Sequence, residues 1–124
     1  MTALLPNNYT IVTAQGSQWS AVFTIYNDDG SLANISLKIF EFVVRDRISP
    51  VSQVLFSFNS VTANSYGSMV ISTANSTVQV TVTPAATVLL SEGGGPYTLW
   101  MDQSLPDATA LVTGLFFAQP IAAP

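Results

Sequence analysis

From Gln15 to Arg47 the chain alternates between apolar and polar residues, turns, and runs apolar again, and the remaining segments are best read against this stretch. Trp19, Ala21, Phe23 and Ile25 fall on one face of an extended segment, with Ser20, Val22, Thr24 and Tyr26 on the other. Successive side chains of a strand point to opposite faces, so this period of two predicts a half-buried strand. Asn27-Asp28-Asp29-Gly30 predicts a tight turn. Asn and Asp bond their own backbone there, and Gly accepts the positive φ that closes such a turn. Leu37 to Arg45 is apolar on both faces apart from Lys38 and Glu41, which predicts a central strand or one whose outer face is covered.

The same reasoning divides the rest of the chain. Tyr9 to Ala14 predicts a short strand with Tyr9, Ile11 and Thr13 on one face, broken by Gln15 and Gly16. Ile48-Ser49-Pro50 is a connection, because the residue before a proline is pushed out of helical space. Val54 to Phe58 reads as a strand, and the polar stretch from Asn59 to Gly67 as the mobile loop of the chain. Met69 to Thr73 and Val78 to Thr83 form a predicted hairpin about Asn75-Ser76, with Val78, Val80 and Val82 facing inward. Thr83 as N-cap and Pro84 at the first helical position predict a helical turn near residues 84–91, stopped by Gly93-Gly94-Gly95. Tyr97 to Asp102 and Leu111 to Ala118 are the closing strands, separated by a Leu105-Pro106-Asp107 turn. Residues 1–8, with Pro6, read as an N-terminal arm, 9–118 as one β domain, and 119–124 as a proline-bearing C-terminal arm. Seven or eight short strands at these intervals with one helical turn predict an all-β chain, an immunoglobulin-like β-sandwich, with a jelly roll as the alternative connectivity.

Composition narrows the function. Charged residues make up 8% of the 124 and hydrophobic ones 48%. An ordinary soluble domain is roughly 25% charged, so the scarcity predicts surface hidden in an assembly. The net charge is −4 and the cations are Lys38, Arg45 and Arg47, which argues against nucleic acid as a partner, since phosphate binding needs clustered positive charge. Without Cys or His there is no disulfide framework, none of the usual zinc sites, no serine-type triad and no cysteine–histidine pair. No apolar run is long enough to predict a membrane span, and the N-terminus lacks the basic and long apolar regions of a secretory signal.

The remaining chemistry is sparse. Asp28, Asp29, Glu41, Asp46, Glu92, Asp102 and Asp107 could in principle supply paired carboxylates, but most fall in predicted turns or at strand ends, where capping explains them. Asp28-Asp29-Gly30 has too few acids for a calcium loop, and Glu92-Gly93-Gly94-Gly95 lacks the lysine and following helix of a phosphate loop. The sequence therefore predicts no catalytic, metal or cofactor site. Asn8-Tyr9-Thr10, Asn34-Ile35-Ser36 and Asn75-Ser76-Thr77 match the glycosylation pattern, at a frequency this Ser, Thr and Asn content reaches by chance. Trp19 and Trp100 could form a sugar-stacking platform, as in a carbohydrate-binding module, but both lie in alternating strands, where core packing is expected. Arg45 and Arg47 flank Asp46 where the long strand ends; they serve either solubility or an ion pair with a neighbouring subunit.

Taken together, Gln15-Gly16, the aromatic strand, Asp28-Asp29-Gly30, a strand ending in Arg45 or Arg47, Thr83-Pro84-Ala85-Ala86-Thr87 and Gly94-Gly95-Pro96-Tyr97 carry a likeness. From Tyr9 to Ala118 the chain resembles the immunoglobulin-like module of small structural proteins of tailed bacteriophages, including the N-terminal module of upper baseplate proteins. It departs from the family at Asn34-Ile35-Ser36-Leu37, where Asp-Leu-Thr-Gly is common. The resemblance implies a non-enzymatic virion protein, assembled in the host cytoplasm, that docks on major capsid or tail and baseplate proteins and forms a homo-oligomer in the particle. Capsid decoration or cement is the expected role, with a tail, baseplate or fibre adaptor as the alternative. Leu4 and Leu5 in the first arm and Pro120 and Ile121 in the last are then expected to join Arg45 and Arg47 at the interface.

Overall fold

The computed structural model describes residues 7–27, 29–46, 53–90, 94–102 and 108–119. Among them the chain is all-β, with nine strands in two sheets and one short helical turn. The strands are β1 (Asn7–Asn8), β2 (Ile11–Ala14), β3 (Trp19–Thr24), β4 (Phe40–Arg45), β5 (Val54–Asn59), β6 (Gly67–Ser72), β7 (Thr77–Val82), β8 (Gly95–Met101) and β9 (Thr109–Gln119), with α1 (Pro84–Thr87) between β7 and β8. The larger sheet runs β1-β9-β8-β4-β5, with β2 also on β9, and the smaller runs β3-β7-β6. β1 and β2 pair parallel to β9 and are separated by Tyr9 and Thr10, so one broken strand forms that edge. The sheet takes in Asn7–Asn8 and reaches Gln119, the inner ends of the two segments expected as arms.

The alternation read from the sequence sets both inner faces. In β3, Trp19, Ala21 and Phe23 are half-buried while Ser20, Val22 and Thr24 are exposed. Val78, Val80 and Val82 of β7 are completely buried, as expected for the middle strand of its sheet. From the larger sheet Phe42, Phe58, Tyr97 and Phe116 join them in one apolar core. Phe42 lies at its centre, stacked on Phe58 and Tyr97 at ring-centroid distances of 5.4 Å each and on Trp19 of the other sheet at 6.5 Å. Removing a ring so placed typically costs about 3–5 kcal/mol, through lost burial and the cavity left behind.

Two expectations change. The strand expected from Leu37 begins at Phe40, because Leu37 adopts φ 63° with its side chain fully exposed and Lys38 N–H closes a turn onto the Ile35 carbonyl. That turn lets Ile35 enter the core, and β4 is the central strand expected, between β8 and β5. The helix is a single turn, Pro84–Thr87, with proline at its start but without the expected Thr83 side-chain cap. Thr83 Oγ1 donates instead to the Ser65 carbonyl at 2.6 Å, and the turn is held by Thr87, whose hydroxyl accepts from Gly16 N–H and donates to the Ser17 carbonyl. The polar stretch from Asn59 to Gly67 is a set of hydrogen-bonded turns. Asn59 Oδ1 accepts from the Val61 and Thr62 N–H groups, Asn64 Oδ1 accepts from Tyr66 N–H, and Asn64 Nδ2 donates to the Ser57 carbonyl.

Candidate interaction site

The two sheets differ in charge. β3, β6 and β7 contain no Asp, Glu, Lys or Arg in any of their residues. Glu41 and Arg45 belong to β4, Asp46 and Asp102 follow strands of the larger sheet, and Lys38 and Asp29 lie in the connection before β4. The outer face of the smaller sheet is thus uncharged. Its cross-strand rows are Ser20-Thr81-Ser68, Val22-Gln79-Val70 and Thr24-Thr77-Ser72. Val22 and Val70 are 60% and 62% exposed, an unusual cost in water for two β-branched side chains in one row.

The larger sheet carries a different outer face. Tyr97, Leu99 and Met101 point into the core, so Pro96, Thr98 and Trp100 face outward on β8, each half-buried. This corrects the core position expected for Trp100, which stands opposite Glu41 on one side and Ala110 on the other. Trp19 does pack on the core, 5.4 Å from the Phe116 ring. Alternation had shown that the residues of β8 divide between two faces; it could not show which face was inside. Leu115 and Phe117 of β9 are also half-buried and outward, completing an apolar strip beside Pro96.

Where the edges of β1 and β3 approach, Asn8, Tyr9, Ala21, Val22, Phe23 and Val112 line a groove of about 540 Å³. Tyr9 meets Phe23 edge-on at 6.3 Å, and its carbonyl accepts a hydrogen bond from the Tyr97 hydroxyl at 2.5 Å. Burial, and secondarily repulsion from the negative charge of the neighbouring Tyr9 once ionised, push the Tyr97 pKa above its usual value. The groove has no charged lining. Its walls come from β1, β3 and β9, segments too far apart in the chain for spacing alone to unite them.

Of the interface residues expected from the sequence, Arg45 is exposed where β4 ends, beside a register shift between Val44 and Arg45. Gly95 sits so close to it that an added Cβ would overlap the Arg45 carbonyl oxygen. Arg47, Leu4, Leu5, Pro120 and Ile121 lie outside the described residues, as do Asp28, Glu92 and Asp107 among the acids. The remaining acids have structural partners or lie apart. Asp29 Oδ1 accepts from both the N–H and the hydroxyl of Ser31, bonds that lower its pKa and hold the turn. Gly30 closes that turn at φ 87°, donating to the Asn27 carbonyl. Asp102 is buried, with Oδ2 3.2 Å from Lys38 Nζ and Oδ1 accepting from Ile39 N–H. Among the described residues no three His, Cys, Asp or Glu side chains gather in a metal-binding arrangement. No helix among those residues is long and apolar enough to cross a membrane.

The chain matches no family model and no curated protein.

Proposed function

We propose that this chain is a structural, non-enzymatic component of a tailed-phage particle, an immunoglobulin-like sandwich that docks on coat proteins as a decoration or cement module. The observation that carries the reading is the surface: an uncharged sheet exterior on one side and an outward apolar strip with Trp100, Leu115 and Phe117 on the other. Aromatic side chains in such strips are favoured anchors of protein interfaces, where charged residues are depleted. The strand order supports the sandwich. The orders β3-β7-β6 and β9-β8-β4-β5 are those that strands B, E and D and strands G, F, C and C′ take in variable-type immunoglobulin domains. The parallel seam of β1 and β2 with β9 is foreign to the antiparallel Greek keys of a jelly roll.

Gold-labelled antibody against the chain, applied to purified particles of the source and viewed by electron microscopy, tests this reading. Label over the head is the expected outcome. Label confined to one pole or the tail tip would replace decoration with the adaptor role, and particles whose digests contain no peptide of this chain would refute a virion role.

A further inference from the structure

Among the described residues, the smaller sheet has an edge, β3, without the usual protections. Natural proteins keep edge strands from pairing by placing lysine, proline or a bulge on them, or by covering them. The larger sheet follows this rule: its β1/β2 edge is broken at Tyr9-Thr10, and β5 meets β4 through a register shift. β3, Trp-Ser-Ala-Val-Phe-Thr, is six residues long and pairs with β7 without any shift, and it contains neither charge nor proline. Its hydrogen-bonding direction is legible from the ladder. Ile25 N–H donates to the Ser76 carbonyl, so in an antiparallel pair the residues at Phe23, Ala21 and Trp19 also bond toward β7. The N–H and C=O groups of Ser20, Val22 and Thr24 therefore point away from the sheet. β6 offers a shorter edge, since its Gly67 carbonyl already accepts from Asn64 N–H.

We propose that two copies of this chain join antiparallel along β3, with the twofold axis at Val22, so that two three-stranded sheets become one continuous sheet. The pairing is self-complementary at three levels. About that axis Val22 exchanges both backbone hydrogen bonds with the partner's Val22, and Ser20 pairs with the partner's Thr24 and the reverse. On the outer face this sets valine against valine and hydroxyl against hydroxyl; on the inner face it sets small Ala21 beside the large ring of the partner's Phe23, at the mouth of the groove. Finally, the chain's net charge of −4 does not oppose the contact, because the smaller sheet's strands hold none of it. A second copy is the occupant these features select: an uncharged edge meets an uncharged edge, and closed twofold pairing uses the same patch on both subunits. The inference stands on the edge geometry and does not depend on the virion reading.

The chain has no cysteine, so a single introduced one reports the contact cleanly. In a hydrogen-bonded antiparallel pair opposed Cα atoms lie about 5.5 Å apart, within disulfide reach of about 4.4–6.8 Å. Val22→Cys is expected to form a disulfide-linked dimer under mild oxidation. Gln79→Cys, on the same exposed face but on the middle strand, is expected to remain monomeric. Light scattering of the unmodified chain should give twice its 13.2 kDa mass. Val22→Lys, which places like charges opposite one another at the axis, should raise the dissociation constant roughly tenfold or more with an unchanged circular dichroism spectrum. A mass of one chain at about 1 mM would overturn the proposal. So would a dimer that Val22→Lys leaves intact, or cross-linking of Gln79→Cys as fast as Val22→Cys.

Discussion

The hydroxyl of Tyr97, in the middle of the larger sheet, donates to the carbonyl of Tyr9, 88 residues earlier, at 2.5 Å. Tyr9 N–H in turn donates to the Thr113 carbonyl, so the break between β1 and β2 is pinned on both sides. Tyr97→Phe deletes one of these bonds and leaves the Tyr9 carbonyl without that donor. A loss of about 1 kcal/mol is expected at neutral pH. The variant also changes the alkaline limb. Burial raises the Tyr97 pKa in the folded chain, whereas the unfolded chain ionises near about pH 10. The unfolded state therefore binds fewer protons above that pH, and this contribution to stability, whole below about pH 10, is lost as pH rises past it. Urea titrations from neutral to strongly alkaline pH should show a shallower decline for Tyr97→Phe; parallel curves would contradict it.

A second long-range tie joins the turn before β4 to the end of β8. Asp102 N–H donates to the Ile39 carbonyl at 2.6 Å and Ile39 N–H returns to Asp102 Oδ1 at 3.0 Å, with Asp102 at φ 55°. Asp102→Asn keeps an acceptor oxygen and a residue that tolerates positive φ, losing only the ion pair with Lys38, whose side chain is 32% exposed. Screening by water limits that loss to about 1 kcal/mol or less. Asp102→Ala leaves Ile39 N–H without its acceptor and puts a poorly suited residue in the left-handed region, for about 2–3 kcal/mol. Equilibrium unfolding should rank alanine well below asparagine, and equal losses would show that the charge, not the acceptor, matters.

These two ties mark where sequence reading stops. Strand β3 and the valines of β7 were legible, because period two with one buried face leaves a signature in consecutive residues. Leu37 was misread as strand: an exposed leucine at positive φ has the same hydrophobic letter as a buried one in a sheet. Thr83-Pro84 signalled the helical turn correctly, yet the threonine hydroxyl found a better acceptor in Ser65, a tertiary contact that capping rules do not see. The groove is less legible still, since Tyr9, Phe23 and Val112 meet only once the two sheets are in place. Of the anticipated interface, Arg45 is at an exposed strand end as the pattern suggested, while the arm residues fall outside the described chain.

Gly95 offers a test of the packing of β8 on β4. Its hydrogen faces the Arg45 carbonyl oxygen, and a methyl group there would overlap that oxygen, which is backbone and cannot swing aside. Gly95→Ala must shift one strand, at an expected cost of about 3 kcal/mol or more. Gly30→Ala is the comparison: nothing lies within 4 Å of its added Cβ, and only the φ of 87° resists, for about 1 kcal/mol. Thermal unfolding of the pair should separate these two effects, and similar midpoints would mean that β4 and β8 are not as close as described.

The two tryptophans separate stability from docking. Trp19 lies between the Phe42 and Phe116 rings, so Trp19→Ala opens the core where the two sheets meet, at about 3 kcal/mol. Trp100 shares no ring with the core and stands opposite Glu41 and Ala110 on the outer face, so Trp100→Ala should cost about 1 kcal/mol, mainly as lost surface packing. If the outward strip is where a coat protein docks, the ranking reverses in the particle. Trp100→Ala should then lower incorporation, as truncation of a central aromatic anchor costs about 2 kcal/mol or more of binding. Trp19→Phe, which keeps an aromatic ring in the core, should be incorporated normally. Denaturant midpoints and quantitative mass spectrometry of purified particles measure the two properties separately. A Trp100→Ala chain that remains stable and fills its sites at the normal level would place the docking surface elsewhere, with the uncharged face of the smaller sheet next to be tested.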